Sequence, residues 1–207
     1  MNNSTNQYVP SIGLGTYNMS SEEAEKMTYE AIKYGYRHID TAAVYKNEDG
    51  VARALKRIFK ETQLRRDDVF ITTKLWPGGL IKLDRIRDYK DTLKSFEKSL
   101  MRLNLEYIDL YLIHSPHGKN KRIEQWKSLM KLKETEKVKY IGVSNWGINH
   151  INELKENDLP LPDANQIEIH PWSQKPKLIK YLRENNIDII AYSLSLIHIS
   201  EPTRPLY

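Results

Sequence analysis

Short apolar runs alternate with amphipathic stretches along the whole chain. SIGLGTY (11–17), RHIDTA (37–42), VFITTKLW (69–76), YIDLYLIHS (107–115), KYIGVSN (139–145), NQIEIHP (165–171) and DIIAYS (188–193) read as strands. Helical patterns lie between them at 21–34, 48–60, 84–103, 122–136, 148–156 and 175–185. The first follows a capping-box signal, Ser20 with Glu23, and carries Ala24, Met27, Ala31 and Ile32 on one side. The second has Val51, Ala54, Leu55 and Ile58 at helical spacing. Regularly spaced strand–helix units argue for parallel β-structure with crossover helices. A doubly wound sheet and a β/α barrel share this alternation, and seven units favour the barrel, because open sheets usually have fewer strands before the topology reverses. The expected class is α/β: a (β/α)8 TIM barrel, incomplete, with its eighth unit missing.

Composition changes this picture little. The chain has 207 residues, short of the roughly 250 typical of such a barrel. With 40% hydrophobic and 29% charged residues, one globular domain is the default. The net charge of +5, from 32 basic and 27 acidic residues, is mild and spread along helices, which argues against a nucleic-acid footprint. Cysteine is absent, which excludes disulfides, thiolate catalysis and Cys-ligated zinc. The N-terminal MNNSTNQYVP has no apolar core of a signal peptide, and no stretch approaches the roughly 18 apolar residues of a membrane span. A cytoplasmic protein acting on a small molecule is expected.

Barrel chemistry collects at the carboxyl ends of the strands. Polar residues expected there are Thr16, Asp40 with Tyr45 shortly after, Lys74, His114, Ser144 and Asn145, Gln166 with Glu168 and His170, and Tyr192 with Ser193. Four of these make a chemical set. Tyrosine is a poor acid at neutral pH, since its pKa lies near about 10. A nearby ammonium stabilises the phenolate, and a carboxylate holds that ammonium charged and oriented. Asp40 would hold Lys74, Lys74 would acidify Tyr45, and with a hydrogen bond from His114 the group could protonate an oxygen as a carbonyl is reduced. Taken singly, Asp40 reads as a turn cap and Lys74 as a surface lysine; together, the catalytic reading is favoured.

D-T-A-x-x-Y at 40–45 with Asn47 and Glu48, T-T-K-L-W at 72–76, L-I-H-S-P at 112–116, I-G-V-S-N at 141–145, N-Q-I-E-I-H-P at 165–171 and A-Y-S at 191–193 together resemble the aldo-keto reductases. The series covers residues 11–193 in order. The resemblance implies a β/α barrel that binds NADPH without a Rossmann fingerprint, and no G-x-G-x-x-G occurs here. It implies Tyr45 as general acid, Lys74 and Asp40 as its tuning pair, and His114 as the residue orienting a small-molecule carbonyl substrate, an aldehyde or aldose. Ser144, Asn145 and Gln166 match positions that bond the nicotinamide carboxamide, Tyr192 matches the aromatic that stacks on the nicotinamide, and Thr16 is counted with these cofactor contacts. Tyr17, Trp76 and Ser115 would line the substrate pocket; for Tyr17 a core role reads nearly as well. Ser115 stands where many aldose-type reductases have tryptophan, so a less aromatic pocket is expected. No metal is implied, and the complete protein is expected to be a monomer.

Two other readings are kept open. One is a cofactor-sensing regulatory subunit of reductase fold without significant turnover. The other is a barrel enzyme with a metal on Glu168 and His170, for which no third ligand recurs at suitable spacing, so the two read as barrel lining. Trp126 reads as packing. The end of the chain, LSLIHISEPTRPLY, departs from the family pattern, in which a cofactor loop, a helix and an eighth strand with a basic loop would follow. It resembles a translation of sequencing-adapter DNA. Residues 1–193 are accordingly taken as an incomplete reductase barrel and 194–207 as a non-native tail. Lacking the eighth unit, the chain is expected to fold poorly and bind NADPH weakly.

Overall fold

The structure is a computed structural model that describes residues 8–81 and 83–194. The strands are β1 (Leu14–Gly15), β2 (His38–Asp40), β3 (Phe70–Leu75), β4 (Ile108–Ile113), β5 (Val138–Ser144), β6 (Ala164–Glu168) and β7 (Asp188–Tyr192). They form one sheet in the order β1-β2-β3-β4-β5-β6-β7, every neighbouring pair parallel. Helices α1 (Ser21–Lys33), α2 (Glu48–Glu61), α3 (Tyr89–Leu103), α4 (Arg122–Glu134), α5 (Ile148–Glu156) and α6 (Pro176–Glu184) supply the crossovers. Among the described residues this is an incomplete (β/α)8 barrel. β4, in the middle of the order, is buried at every position, whereas β7, at one end, is only half-buried throughout.

Side chains alternate along a strand, and the alternation sorts the apolar residues into two cores. Ile71, Tyr111, Ile113, Ile141, Val143 and Ile167 pack outward against the helices with Val51, Leu55, Ile58, Phe96, Trp126 and Leu154. Leu110, Leu112 and Ala164 pack inward with Phe70, Tyr140 and Ile190, and Tyr8 and Val9 join them from below. Tyr8 closes that end by stacking on Tyr140, with ring centroids 3.7 Å apart. Gly142 lets the wall close here, because a Cβ would lie 2.5 Å from the Ala164 carbonyl oxygen.

Strand register carries this inward set upward. Asp40 pairs with Thr72, Lys74 with Leu112 and Ser144 with Gln166. Two residues beyond Thr72 comes Lys74, two beyond Leu112 comes His114, two beyond Gly142 comes Ser144, and two beyond Ile190 comes Tyr192. The same period that builds an apolar floor therefore puts polar groups at the carboxyl-end mouth.

The local signals form as expected, with two corrections. Ser20 and Glu23 make the reciprocal capping box of α1. The buried stripe of α1 is Ala24, Thr28, Tyr29 and Ile32, so Met27 turns to solvent; the Tyr29 ring is the larger surface, and its hydroxyl reaches Glu61 on α2 at 2.6 Å. The helix expected from 84 starts at Tyr89, because Asp88 caps it by accepting from the Asp91 N–H at 2.9 Å. The residues expected to form the tail lie outside the described range from 195 onward.

Candidate active site

Asp40 and Lys74 form an ion pair through Asp40 Oδ1, and the Lys74 ammonium also donates to the Thr41 carbonyl at 3.0 Å. The Lys74 side chain is 1% exposed, so the pair lies inside the barrel wall. The other carboxylate oxygen, Oδ2, accepts from Gln166 Nε2 at 2.7 Å, across the barrel from β6. A carboxylate only accepts, so this bond fixes the amide with its nitrogen toward Asp40 and its oxygen away.

Tyr45 sits in a single helical turn, Ala43–Tyr45, directly after β2. Its ring meets His114 edge-on at 5.5 Å and Tyr17 at 5.2 Å, and the Lys74 ammonium lies 5.2 Å from its centroid. The loop is held from below by Asn47, which is fully buried. Its Nδ2 donates to the Thr16 and Met19 carbonyls at 2.8 and 2.9 Å, and its Oδ1 accepts from the Thr41 and Thr16 hydroxyls at 3.0 and 3.3 Å. Glu48, also buried, accepts from the Thr73 hydroxyl at 2.6 Å and pairs with Arg102. Both residues belong to the sequence motif, but apart from Thr41 their bonding partners are distant in sequence and gave no signal there.

The electrostatics differ from the expected tuning. Burial, then Asp40, Tyr17 and Tyr192, push the Tyr45 phenol well above the usual tyrosine value. Desolvation is the largest cause, and the Asp40 carboxylate works in the same direction. Tyr45 is therefore a fully protonated donor at neutral pH. Burial, with Lys74 adding and Asp40 opposing, lowers the His114 pKa from 6.5 to about 4. His114 is thus a neutral imidazole, and its Nδ1 is buried without a partner among the described residues.

That shift has a stability consequence with a definite sign. Between about pH 6.5 and 4 the unfolded chain binds a proton at His114 that the folded chain does not, so stability falls as the pH drops through this window. The loss approaches roughly 3 kcal/mol at its acid end. Urea unfolding of wild type and of His114→Gln at pH 7 and pH 4.5 isolates it: the wild type should lose on the order of 2 kcal/mol more than the variant.

The other expected contacts are distributed unevenly. Asn145, at φ 62, donates to the His114 carbonyl at 3.2 Å and accepts from the Tyr192 hydroxyl at 2.7 Å. The Ser144 hydroxyl bonds the Gln166 carbonyl at 3.0 Å. Thr16, expected on the cofactor, is fully buried, and its hydroxyl bonds Asn47 and the Asp40 carbonyl, bracing the loop. Tyr17 is 66% exposed and lies against Tyr45 as a rim residue, not a core one. Trp76 stands edge-on to His114 at 5.8 Å, and Ser115 is buried with its hydroxyl 2.8 Å from His117 Nδ1. Trp126 is packing, as expected, its indole donating to the Pro160 carbonyl at 3.0 Å. Glu168 and His170 approach to 3.3 Å, and the described residues contain no group of three or more ligands able to hold a metal. Among them, too, no helix is long and apolar enough to cross a membrane.

The fold and the site together define an α/β barrel with a Tyr–Lys–Asp–His group gathered at the carboxyl ends of its strands. The chain belongs to the aldo/keto reductase family, whose model matches residues 11–195. It is 41% identical to glyoxal reductase of Bacillus subtilis over 186 residues, covering 89% of this chain and 63% of that protein. It is also 41% identical to the 9,11-endoperoxide prostaglandin H2 reductase of Trypanosoma cruzi, covering 89% of this chain and 62% of the relative. The chain thus spans less than two thirds of the length of these relatives. The Bombyx mori aldo-keto reductase solved in complex with NADP superposes with a TM-score of 0.83 at 30% identity, over 96% of this chain and 68% of that one.

Proposed function

We propose that this protein reduces aldehydes, glyoxal-like dicarbonyls and aldoses among them, to alcohols with NADPH, and that Tyr45, Lys74, Asp40 and His114 carry the reaction. The observation that carries this reading is the buried Lys74–Asp40 pair beside a protonated tyrosine and a neutral histidine whose rings meet edge to face. Glyoxal is taken from the named activity of the Bacillus relative. Since a relative of equal identity is named for an endoperoxide, family membership alone does not choose the substrate.

The amide chemistry at the mouth fits a nicotinamide. Gln166, oriented by Asp40, would present its Oε1 to the carboxamide N–H, and no hydrogen bond takes that oxygen among the described residues. Ser144 and Asn145 would meet the same carboxamide, and the ring of Tyr192, half-buried at the end of β7, would stack on the nicotinamide. When bound, NADPH supplies the hydride. His114 donates a hydrogen bond to the carbonyl oxygen and fixes its direction. Tyr45 gives that oxygen a proton as negative charge develops on it. A high phenol pKa is compatible with this step, because an alkoxide forming on carbon is more basic than a phenolate. Lys74 faces the phenolate left behind and stabilises it, while Asp40 and the Thr41 carbonyl hold the ammonium in place.

Steady-state oxidation of NADPH by the full 207-residue chain with glyoxal tests the proposal. Saturable turnover yielding glycolaldehyde is expected. A folded chain with no turnover of glyoxal, simple aldehydes or aldoses would contradict it.

A further inference from the structure

β3 ends at Leu75 and α3 begins at Tyr89, so residues 76–88 form a thirteen-residue connection on the active-site face. Loops joining strand to helix run to roughly two to six residues, and those beyond about 12 are usually functional. This one is built, not loose. Arg87 N–H bonds the Pro77 carbonyl at 2.9 Å, and the buried Gln125 of α4 donates from Nε2 to the carbonyls of both Pro77 and Arg87, at 3.1 and 2.8 Å. Inside this neck the chain folds back on itself. Gly78 and Gly79 take φ values of +79° and +82°, and a Cβ on Gly78 would lie 2.1 Å from the Arg85 carbonyl oxygen.

The fold-back delivers Asp84 to Trp76. The indole Nε1–H donates to Asp84 Oδ2 at 2.8 Å, and the Arg87 guanidinium lies 3.3 Å from Oδ1. The far side of the indole meets His114 edge-on, and His114 in turn meets Tyr45. Without its acceptor, a half-buried tryptophan beside an open mouth can leave this rotamer. With it, a flat apolar surface is already in place next to the residue that receives the carbonyl, which lowers the cost of binding any substrate that reaches the surface.

We propose that Asp84 is a specificity-determining positioning residue: by holding Trp76 beside His114 it favours carbonyl substrates with a flat apolar body next to the reacting carbon. The inference rests on the carbonyl-reductase reading and deepens it. Asp84 itself touches neither substrate nor reacting atoms.

Glyoxal and phenylglyoxal make a matched pair, the second adding a ring to the same dicarbonyl. At fixed NADPH, Asp84→Ala should raise KM for phenylglyoxal about tenfold, the scale of a hydrogen bond to a charged group. KM for glyoxal should move less than about twofold and kcat for either less than about threefold. Asp84→Asn, whose side-chain oxygen still accepts from the indole, should recover most of the loss. Trp76→Phe breaks the same bond from the other side and should lose selectivity alike, and adding Asp84→Ala to it should change nothing further. Equal KM shifts for both dicarbonyls, an Asp84→Asn variant no better than Asp84→Ala, or a full Asp84→Ala effect on top of Trp76→Phe would each overturn the inference. A folded wild type that turns over neither dicarbonyl contradicts the reductase reading and this inference with it, whereas wild-type turnover with an unselective Asp84→Ala effect contradicts this inference alone.

Discussion

Replacing Tyr45 with phenylalanine should lower kcat for glyoxal by about a thousandfold, within the roughly 10²- to 10⁴-fold range of a positioned general acid. The substitution removes one hydroxyl and keeps the ring that packs on Tyr17 and His114, so the fold and the mouth should survive it. What is lost is the phenolic proton, which is on the oxygen at neutral pH and is held more firmly by burial. Steady-state rates of reduced-nicotinamide consumption, with circular dichroism to establish that the variant is folded, measure the effect. Residual catalysis above about a tenth of wild type would mean that another group, or water, protonates the oxygen.

The second large effect should come from Lys74→Met. Lys74 is the charge inside the wall, and its removal leaves the Asp40 carboxylate with Gln166 as its remaining side-chain partner. Breaking one side of a buried pair costs about 3–5 kcal/mol, because the stranded charge stays desolvated. Urea unfolding should show a loss of that order, and turnover should fall with it. Asp40→Asn combined with Lys74→Met separates the two consequences. Taking away both charges should return much of the stability, since a neutral pair leaves no unpaired ion, while catalysis should stay low for want of the ammonium. A double variant as unstable as Lys74→Met alone would show that packing, not charge, sets the cost.

The architecture was largely legible in the sequence because a central strand such as β4, buried at every position, leaves a near-continuous apolar run, IDLYLI, and the intervening helices carry their own periodicity. Tyr45, Lys74, Asp40 and His114 were legible as a set because strand-end positions converge in a barrel whatever their separation along the chain. The electrostatic sign at Tyr45 was not. It depends on how deeply the phenol is buried and on how close Asp40 lies to it, and neither quantity is written in residue spacing. The bracing bond of the Thr16 hydroxyl was not legible for a related reason: its partner Asn47 lies thirty-one positions away. The stretch 84–88 reads as the start of a helical pattern running to 103. Asp84 instead bonds a tryptophan eight residues earlier, and Asp88 serves as the helix cap.

The most direct test of the central claim follows the hydride and the proton together. NADPH dideuterated at the nicotinamide C4 is supplied with glyoxal to the wild-type chain and to Tyr45→Phe, and the product is analysed by mass spectrometry. The catalytic reading predicts glycolaldehyde carrying one deuterium on its alcohol carbon, formed at least about a hundredfold more slowly by the variant. Unlabelled product, or labelled product formed equally fast by both proteins, would contradict it.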